Sequence, residues 1–415
     1  MIMKFMKFFL SIFVILSSFY FLINLDFNNT VTISLENKLE DKIVLKKNED
    51  LEKEKFSEEK IIINEEKKSE EIVEIKKDNI LIKEINLIND PIEMQLEKMS
   101  LDEKIGQMLI IGFENSYLDD HIKIMIEKYH IGGINLLRRN IKNEEQVKKL
   151  IKDLQLISNK TLLMAADQEG GDLIRFNFLK ELTSQLEIKN MEIAEKVAFE
   201  RSRELKDLGI NMNFSPVIDY VSDKESYLYR RTFGTNINNI SSLGNSMIDG
   251  YIKGGIIPVI KHFPGYGNVD INPHTKKAIL NISKEEFELN LIPFREVIKK
   301  NPNVPIMTAH IIIPIFDSKP ATISSKYLTK ILREDLDFKG VIITDDIEMV
   351  SAGLNIEDIA VEAIKSGADM IISTLTPEKQ VDIFNRLKRA VLDNEITEKR
   401  IDESVIRILE LKEVI

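Results

Sequence analysis

Eight short apolar runs, at positions 108–113, 133–137, 162–166, 211–214, 258–260, 305–308, 341–344 and 369–373, are separated by stretches with apolar residues at helical spacing. That repeated alternation restricts the fold more than any other feature of the chain. A strand followed by an amphipathic helix, repeated, builds a parallel sheet with helices packed on it. Positions 193–208 and 356–366, the latter closed by Gly367, carry helical patterns of this kind. Eight repeats is the count of a closed barrel, so the predicted fold class is α/β, a single (β/α)8 TIM barrel over 93–415. At roughly 150 residues per domain, a chain of 415 residues would divide into two or three; a single barrel with an amino-terminal extension accounts for the same length. An open doubly wound sheet uses the same local units but gathers its polar motifs near one switch point, whereas here they follow five different runs.

Asp167-Gln168-Glu169-Gly170-Gly171 follows the third run, Ser215-Pro216-Val217-Ile218-Asp219 the fourth, Lys261-His262 the fifth, Ala309-His310 the sixth and Asp345-Asp346 the seventh. The carboxyl ends of barrel strands meet on one face, so these residues are expected to ring one pocket. The densest stretch is Lys261-His262-Phe263-Pro264-Gly265-Tyr266-Gly267, with His274 seven residues on, in a chain with only five histidines. Lys261 and His262 are expected where the strand emerges into a loop. A ring of Asp167, Arg175, Arg231, Lys261, His262, His274 and Asp345 mixes carboxylates, cations and imidazoles, which suits a ligand rich in hydroxyls. A carboxylate beneath an anomeric carbon can act as nucleophile, and a second group beside the leaving oxygen can protonate it and then activate water. His274 can fill that second role because imidazole titrates near neutrality. His262, His274 and Asp345 could instead ligate zinc, but no close pair of histidines or acidic cluster has the usual ligand spacing. Asp219 and His310 read as braces of the pocket floor.

The net charge of −11 and the lack of a basic patch argue against a nucleic-acid partner. The absence of cysteine excludes disulfides, thiolate catalysis and Cys-bound zinc. Lys4 and Lys7 precede an uncharged apolar run over 8–23, so 1–25 is expected to be a signal peptide or a membrane anchor with an exported remainder. The run shows no small-residue cleavage pattern, which favours an uncleaved anchor. Positions 26–92 are rich in Lys and Glu and hold no Gly, and no Pro before Pro91. They read as a charged low-complexity tether, with a coiled coil as the competing reading.

Several ordered motifs add a family resemblance. Glu103-Lys104-Ile105-Gly106-Gln107-Met108, Gly132-Gly133-Ile134, the Asp167 motif, Asn213-Phe214-Ser215-Pro216-Val217, Arg231-Thr232-Phe233-Gly234, Lys261-His262-Phe263-Pro264-Gly265, Thr308-Ala309-His310-Ile311, Pro320-Ala321-Thr322 and Thr344-Asp345-Asp346 occur in sequence. Over 96–415 the chain resembles glycoside hydrolase family 3, in its branch of bacterial β-N-acetylglucosaminidases. The resemblance implies a TIM barrel and a retaining double displacement with no metal or organic cofactor. It implies Asp345 as nucleophile, Asp346 as a structural neighbour, and His274 as acid/base on the loop after the fifth strand. It also implies that Asp167, Arg175, Arg231, Lys261 and His262 hold the non-reducing sugar, in a glycan containing β-linked N-acetylglucosamine. The family places an Asp two residues before the loop His, where this chain has Asn272, so the partner of His274 is either Asp270 or Asn272. Tyr266 stands where many members have a His. The expected function is removal of terminal N-acetylglucosamine from peptidoglycan fragments or related oligosaccharides. Alternatives are a membrane-tethered amino-sugar-binding protein with decayed catalysis, or a β-glycoside phosphorylase or β-glucosidase of the same family. Members with a carboxylic acid/base carry it on a further domain, and the sequence stops at Ile415, which favours the histidine-dependent branch. No protein partner is suggested.

Overall fold

The computed structural model describes residues 91–269, 278–350 and 353–414, together with the backbone of four amino-terminal strands. Those strands, Ile12–Leu16, Phe19–Leu25, Thr30–Asn37 and Leu39–Lys46, pair antiparallel in chain order. They belong to a unit over Met1–Asn89, apart from the second unit, Asp90–Ile415. The leader or anchor expected over 1–25 and the tether expected over 26–92 otherwise lie outside the described residues. Among the described residues no helix is long and apolar enough to cross a membrane.

The second unit is built on parallel strands, each followed by a helix. β1 is Leu109–Ile111, β2 Gly133–Asn135, β3 Leu163–Ala166 and β4 Met212–Asn213. β5 has two parts, Ile257–Pro258 and Ile260–Phe263, and is followed by β6 Ile306–Thr308, β7 Ile342–Asp346 and β8 Met370–Ser373. The sheet counts as nine strands, and its two end strands are the two parts of β5. Val259 N–H donates to the carbonyl of Asn213 on β4, while Ile260 N–H donates to that of Pro305 before β6. One segment therefore bonds to both sides, and the sheet nearly closes into a barrel.

Each of the eight apolar runs holds a strand, because a strand covered on both faces is apolar throughout and needs no alternation. Two placements differ from the expectation. Lys261 and His262 lie within the second part of β5, and Asp345 and Asp346 within β7, where loop positions were expected. Phe263 pairs with Thr308 and Asp346 with Ile372, so neighbouring strands extend the ladder past the last apolar residue.

Local chemistry sets the helix ends. Met191–Leu208 starts where the Asn190 side chain accepts from Ile193 N–H, and stops at Gly209 in the left-handed region, with φ of 92°. Lys284–Lys300 opens with a reciprocal Ser283 and Glu286 cap. At the amino-terminal end of the barrel, buried Asp369 accepts from Ile342 N–H at 2.9 Å, Ser404 at 2.7 Å and Arg407 at 3.0 Å. That carboxylate ties β7, β8 and the last helix, Glu398–Lys412, together. The strands are buried throughout, apart from Asp345 and Asp346 at the open end of the barrel.

Candidate active site

Asp167 follows β3 directly and Glu169 comes two residues later, so both carboxylates meet the cations of neighbouring segments. Lys261 of β5 places its Nζ 2.8 Å from Asp167 Oδ1 and 2.6 Å from Glu169 Oε1. Arg175 Nη2 lies 2.9 Å from Asp167 Oδ2. Arg231, on the short turn Tyr229–Arg231, grips Glu169 with both arms, Nε to Oε2 at 2.8 Å and Nη2 to Oε1 at 2.7 Å. Two carboxylates and three cations leave this cluster with a net positive charge. Burial pushes the carboxyls of Asp167 and Glu169 up, but the facing cations outweigh it and hold Asp167 well below the usual range and Glu169 at about 2. Burial pushes Lys261 and Arg231 down, and the carboxylates more than restore them, so all four groups stay charged at neutral pH.

The loop carrying Asp167 and Glu169 is held from behind. Gln168 Oε1 accepts from the backbone N–H of Arg175 and Phe176, and Asn213 bonds both the N–H and the carbonyl of Gln168. Arg201, fully buried, donates to the carbonyls of Glu169 and Thr183, each at 2.7 Å. Gly170 turns the chain at a φ of 84°, and a Cβ there would lie 2.2 Å from the Thr183 carbonyl oxygen.

A second network fixes His262. Asp219 Oδ2 lies 2.8 Å from His262 Nδ1 and accepts from its backbone N–H at 3.0 Å, and Oδ1 accepts from Tyr266 N–H at 2.8 Å. Tyr266 sets its ring edge-on to His262, and its hydroxyl accepts from His310 N–H at 3.1 Å. His310 reaches Thr322 Oγ1 at 2.7 Å and the Asp346 carbonyl at 2.9 Å. Asp219 and His310 thus brace the floor.

Asp345, at the end of β7, accepts from the Asp346 N–H at 2.8 Å through Oδ1. It faces the same space as the rest of the ring. Burial raises the phenols of Tyr227 and Tyr266, and the Asp345 carboxylate adds to both shifts; Tyr227 also feels Arg231, Asp219 and Glu169. Asp346 turns away from Asp345, with its Oδ2 bonded to the Thr374 hydroxyl and its Oδ1 accepting from Glu348 N–H. Burial, reinforced by Asp345 and Glu348, raises Asp346 from 3.8 to about 6. The native state then holds this proton more tightly than the unfolded chain, so Asp346 removes stability as pH rises from about 4 through about 6. Asp346→Asn should therefore gain stability relative to wild type across that interval. Urea denaturation at pH 4 and pH 7 checks this: a difference that stays constant with pH contradicts a buried, proton-holding Asp346.

The structure thus brings Asp167, Arg175, Arg231, Lys261, His262 and Asp345 to one face. Asp270, Asn272 and His274 lie outside the described residues. The sequence reading gave no role to Glu169, the most buried carboxylate of the ring, although its spacing of two from Asp167 places both on one side of an extended chain. Tyr227 was also missed, and nothing in its neighbourhood marks it.

A parallel β/α barrel with such a ring at the carboxyl ends of its strands is suited to a polar ligand. The chain belongs to glycosyl hydrolase family 3: the model of that family's N terminal domain matches residues 100–411. It is 31% identical over 288 residues to a beta-hexosaminidase of Glaesserella parasuis serovar 5 (strain SH0165), covering 68% of this chain and 84% of that one. It is 30% identical over 330 residues to beta-hexosaminidase A of Pseudoalteromonas piscicida, covering 71% of this chain and 55% of that relative. Among solved structures it is similar to a family 3 beta-N-acetylglucosaminidase from Paenibacillus sp. str. FPU-7, with a TM-score of 0.73 and 34% identity. The match covers 76% of this chain and 62% of the Paenibacillus chain. The chain therefore spans little more than half of some relatives and most of others.

Proposed function

We propose that the protein is a retaining β-N-acetylglucosaminidase that removes terminal N-acetylglucosamine from peptidoglycan fragments or related oligosaccharides. The observation that carries this reading is the charged ring of Asp167, Glu169, Lys261, Arg231 and Arg175 at the end of the barrel where β7 carries Asp345. Preorganised charged groups of this kind orient sugar hydroxyls with little rearrangement. The names of the relatives support the choice of an N-acetylated sugar.

In this mechanism Asp345 attacks the anomeric carbon while His274 gives its proton to the departing glycosidic oxygen. The resulting glycosyl ester is then cleaved by water, which His274, now a base, deprotonates as the Asp345–carbon bond breaks. Asp167, Arg175, Arg231, Lys261 and His262 hold the sugar. Asp346 stays off the reaction, engaged with Thr374. Lys4, Lys7 and the apolar run over 8–23 support export, with the segment retained in the membrane or cleaved.

The test uses the purified chain with an aryl β-N-acetylglucosaminide and the matching glucoside, with and without inorganic phosphate. Release of free N-acetylglucosamine, with the glucoside turned over far more slowly, is the expected result. A glycosyl phosphate as product makes the protein a phosphorylase. Sugar binding without turnover makes it a binding protein.

A further inference from the structure

Lys412 is the last residue of the helix Glu398–Lys412, and its Nζ meets Gln107, two residues ahead of β1. It therefore sits at the amino-terminal end of the barrel, away from the strand ends that carry the charged ring. Nζ donates to Gln107 Oε1 at 2.7 Å, and the Gln107 amide is fixed in that orientation because its Nε2 donates to the His130 carbonyl at 2.7 Å. Gln107 is buried and Lys412 half-buried, so the amine lies at the edge of solvent.

The company Lys412 keeps is unusual for this protein. Lys104 and Lys261, both buried, each meet two carboxylates. Lys412 has no carboxylate partner among the described residues, and its hydrogen bond goes to a neutral amide. The charge that bears on it is a second cation, Lys160, which follows the helix Glu144–Leu156 and leads into β3. Lys160 too has no ion pair among the described residues. Glu103, an acid that feels both Lys160 and the His130 ring, is engaged by the Ser100 backbone N–H and hydroxyl, each at 2.8 Å. An ammonium placed like Lys412 has exchanged water for one neutral oxygen and is repelled by a like charge, so its uncharged form is favoured. Burial, and then Lys160, bring this amine down from 10.5 to about 7. A nucleophilic lysine is thus well populated at neutral pH.

Carbon dioxide resolves this arrangement. The neutral Nζ attacks its carbon, one C=O electron pair moves onto oxygen, and a proton passes from nitrogen to water, leaving a carbamate. The carbamate N–H can keep the bond to Gln107 Oε1, and its carboxylate turns a like-charged pair with Lys160 into an opposite one.

We propose that Lys412 is a carbon dioxide-binding lysine, modified at Nζ to a carbamate, with Gln107 accepting from its N–H and Lys160 as its counter-cation. The modification ties the last helix to the segment that leads into β3. It does not depend on the glycosidase reading, and its test needs no turnover.

The purified chain is equilibrated with 13C-labelled bicarbonate in mildly alkaline buffer, and carbamate carbons are counted by NMR. The α-amino group forms a carbamate of its own, so wild type should show one signal more than Lys412→Arg. Lys160→Ala should lower the occupancy of the Lys412 signal by about two- to fivefold, the worth of one ion pair that water reaches. The absence of any signal that depends on Lys412 overturns the proposal, and an occupancy unchanged in Lys160→Ala removes Lys160 as the counter-cation. If Lys412→Arg does not fold, the wild-type carbamate is trapped with a trialkyloxonium salt and located by peptide mass mapping. A label found only at other residues overturns the proposal equally.

Discussion

Asp345→Asn should leave the fold intact and lower kcat by roughly 10^4-fold or more, as loss of a covalent nucleophile does in enzymes whose groups act as a unit. The amide is nearly the same shape and can still accept the Asp346 N–H bond that Asp345 Oδ1 now receives at 2.8 Å. It cannot form a stable ester with the sugar. Binding should survive, because the residues expected to hold the sugar belong to other strands, so KM or a competitive inhibitor constant should change far less than kcat. His274→Ala, made alongside, should cost about 10²–10⁴-fold, the usual worth of a general acid/base. It should also flatten the pH profile of kcat. Turnover by Asp345→Asn within tenfold of wild type would move the nucleophile elsewhere in the ring.

The second large effect is on stability. Glu169→Ala should destabilise the protein by about 3–5 kcal/mol, the range seen when one partner of a buried ion pair is removed. Glu169 is 1% exposed and bonds Arg231 through both oxygens as well as Lys261. Without it, Arg231 loses its carboxylate, and Lys261 and Arg175 share only Asp167. Because the Glu169 carboxyl is held at about 2, below its ordinary 4.5, its stabilisation is complete above pH 4.5 and lost as pH falls through about 2. The gap between variant and wild type should thus be widest at neutral pH and shrink in acid. Denaturation at pH 7 and pH 3 measures it; a loss under 1 kcal/mol at pH 7 would mean that water, not Glu169, satisfies the two cations.

Glu169 also shows why the site was only partly legible beforehand. Asp167, Lys261 and His262 stand out in the sequence because each is polar text at the end of an apolar run. Glu169 sits inside a motif that reads as a single phrase, and only the fold shows that Lys261 reaches across from β5 to bridge it with Asp167. Tyr227 lies in irregular chain between β4 and the helix Ile237–Lys253, where no periodicity indicates which way a side chain points.

The sequence by itself determined the eight strand windows, the helices between them, and the gathering of polar residues after successive strands. Those signals are local: apolar runs, helical spacing and caps act over a few residues, and a chain read in one dimension carries them in full. Only the tertiary structure decided that both parts of β5 join the two edges of one sheet, that Lys261 serves two carboxylates at once, and that Asp346 faces Thr374 while Asp345 faces the pocket. Those outcomes depend on register and on distances between residues up to about a hundred positions apart, such as Asp167 and Lys261. Strand closure sets such distances for the whole barrel together, and no local pattern contains them.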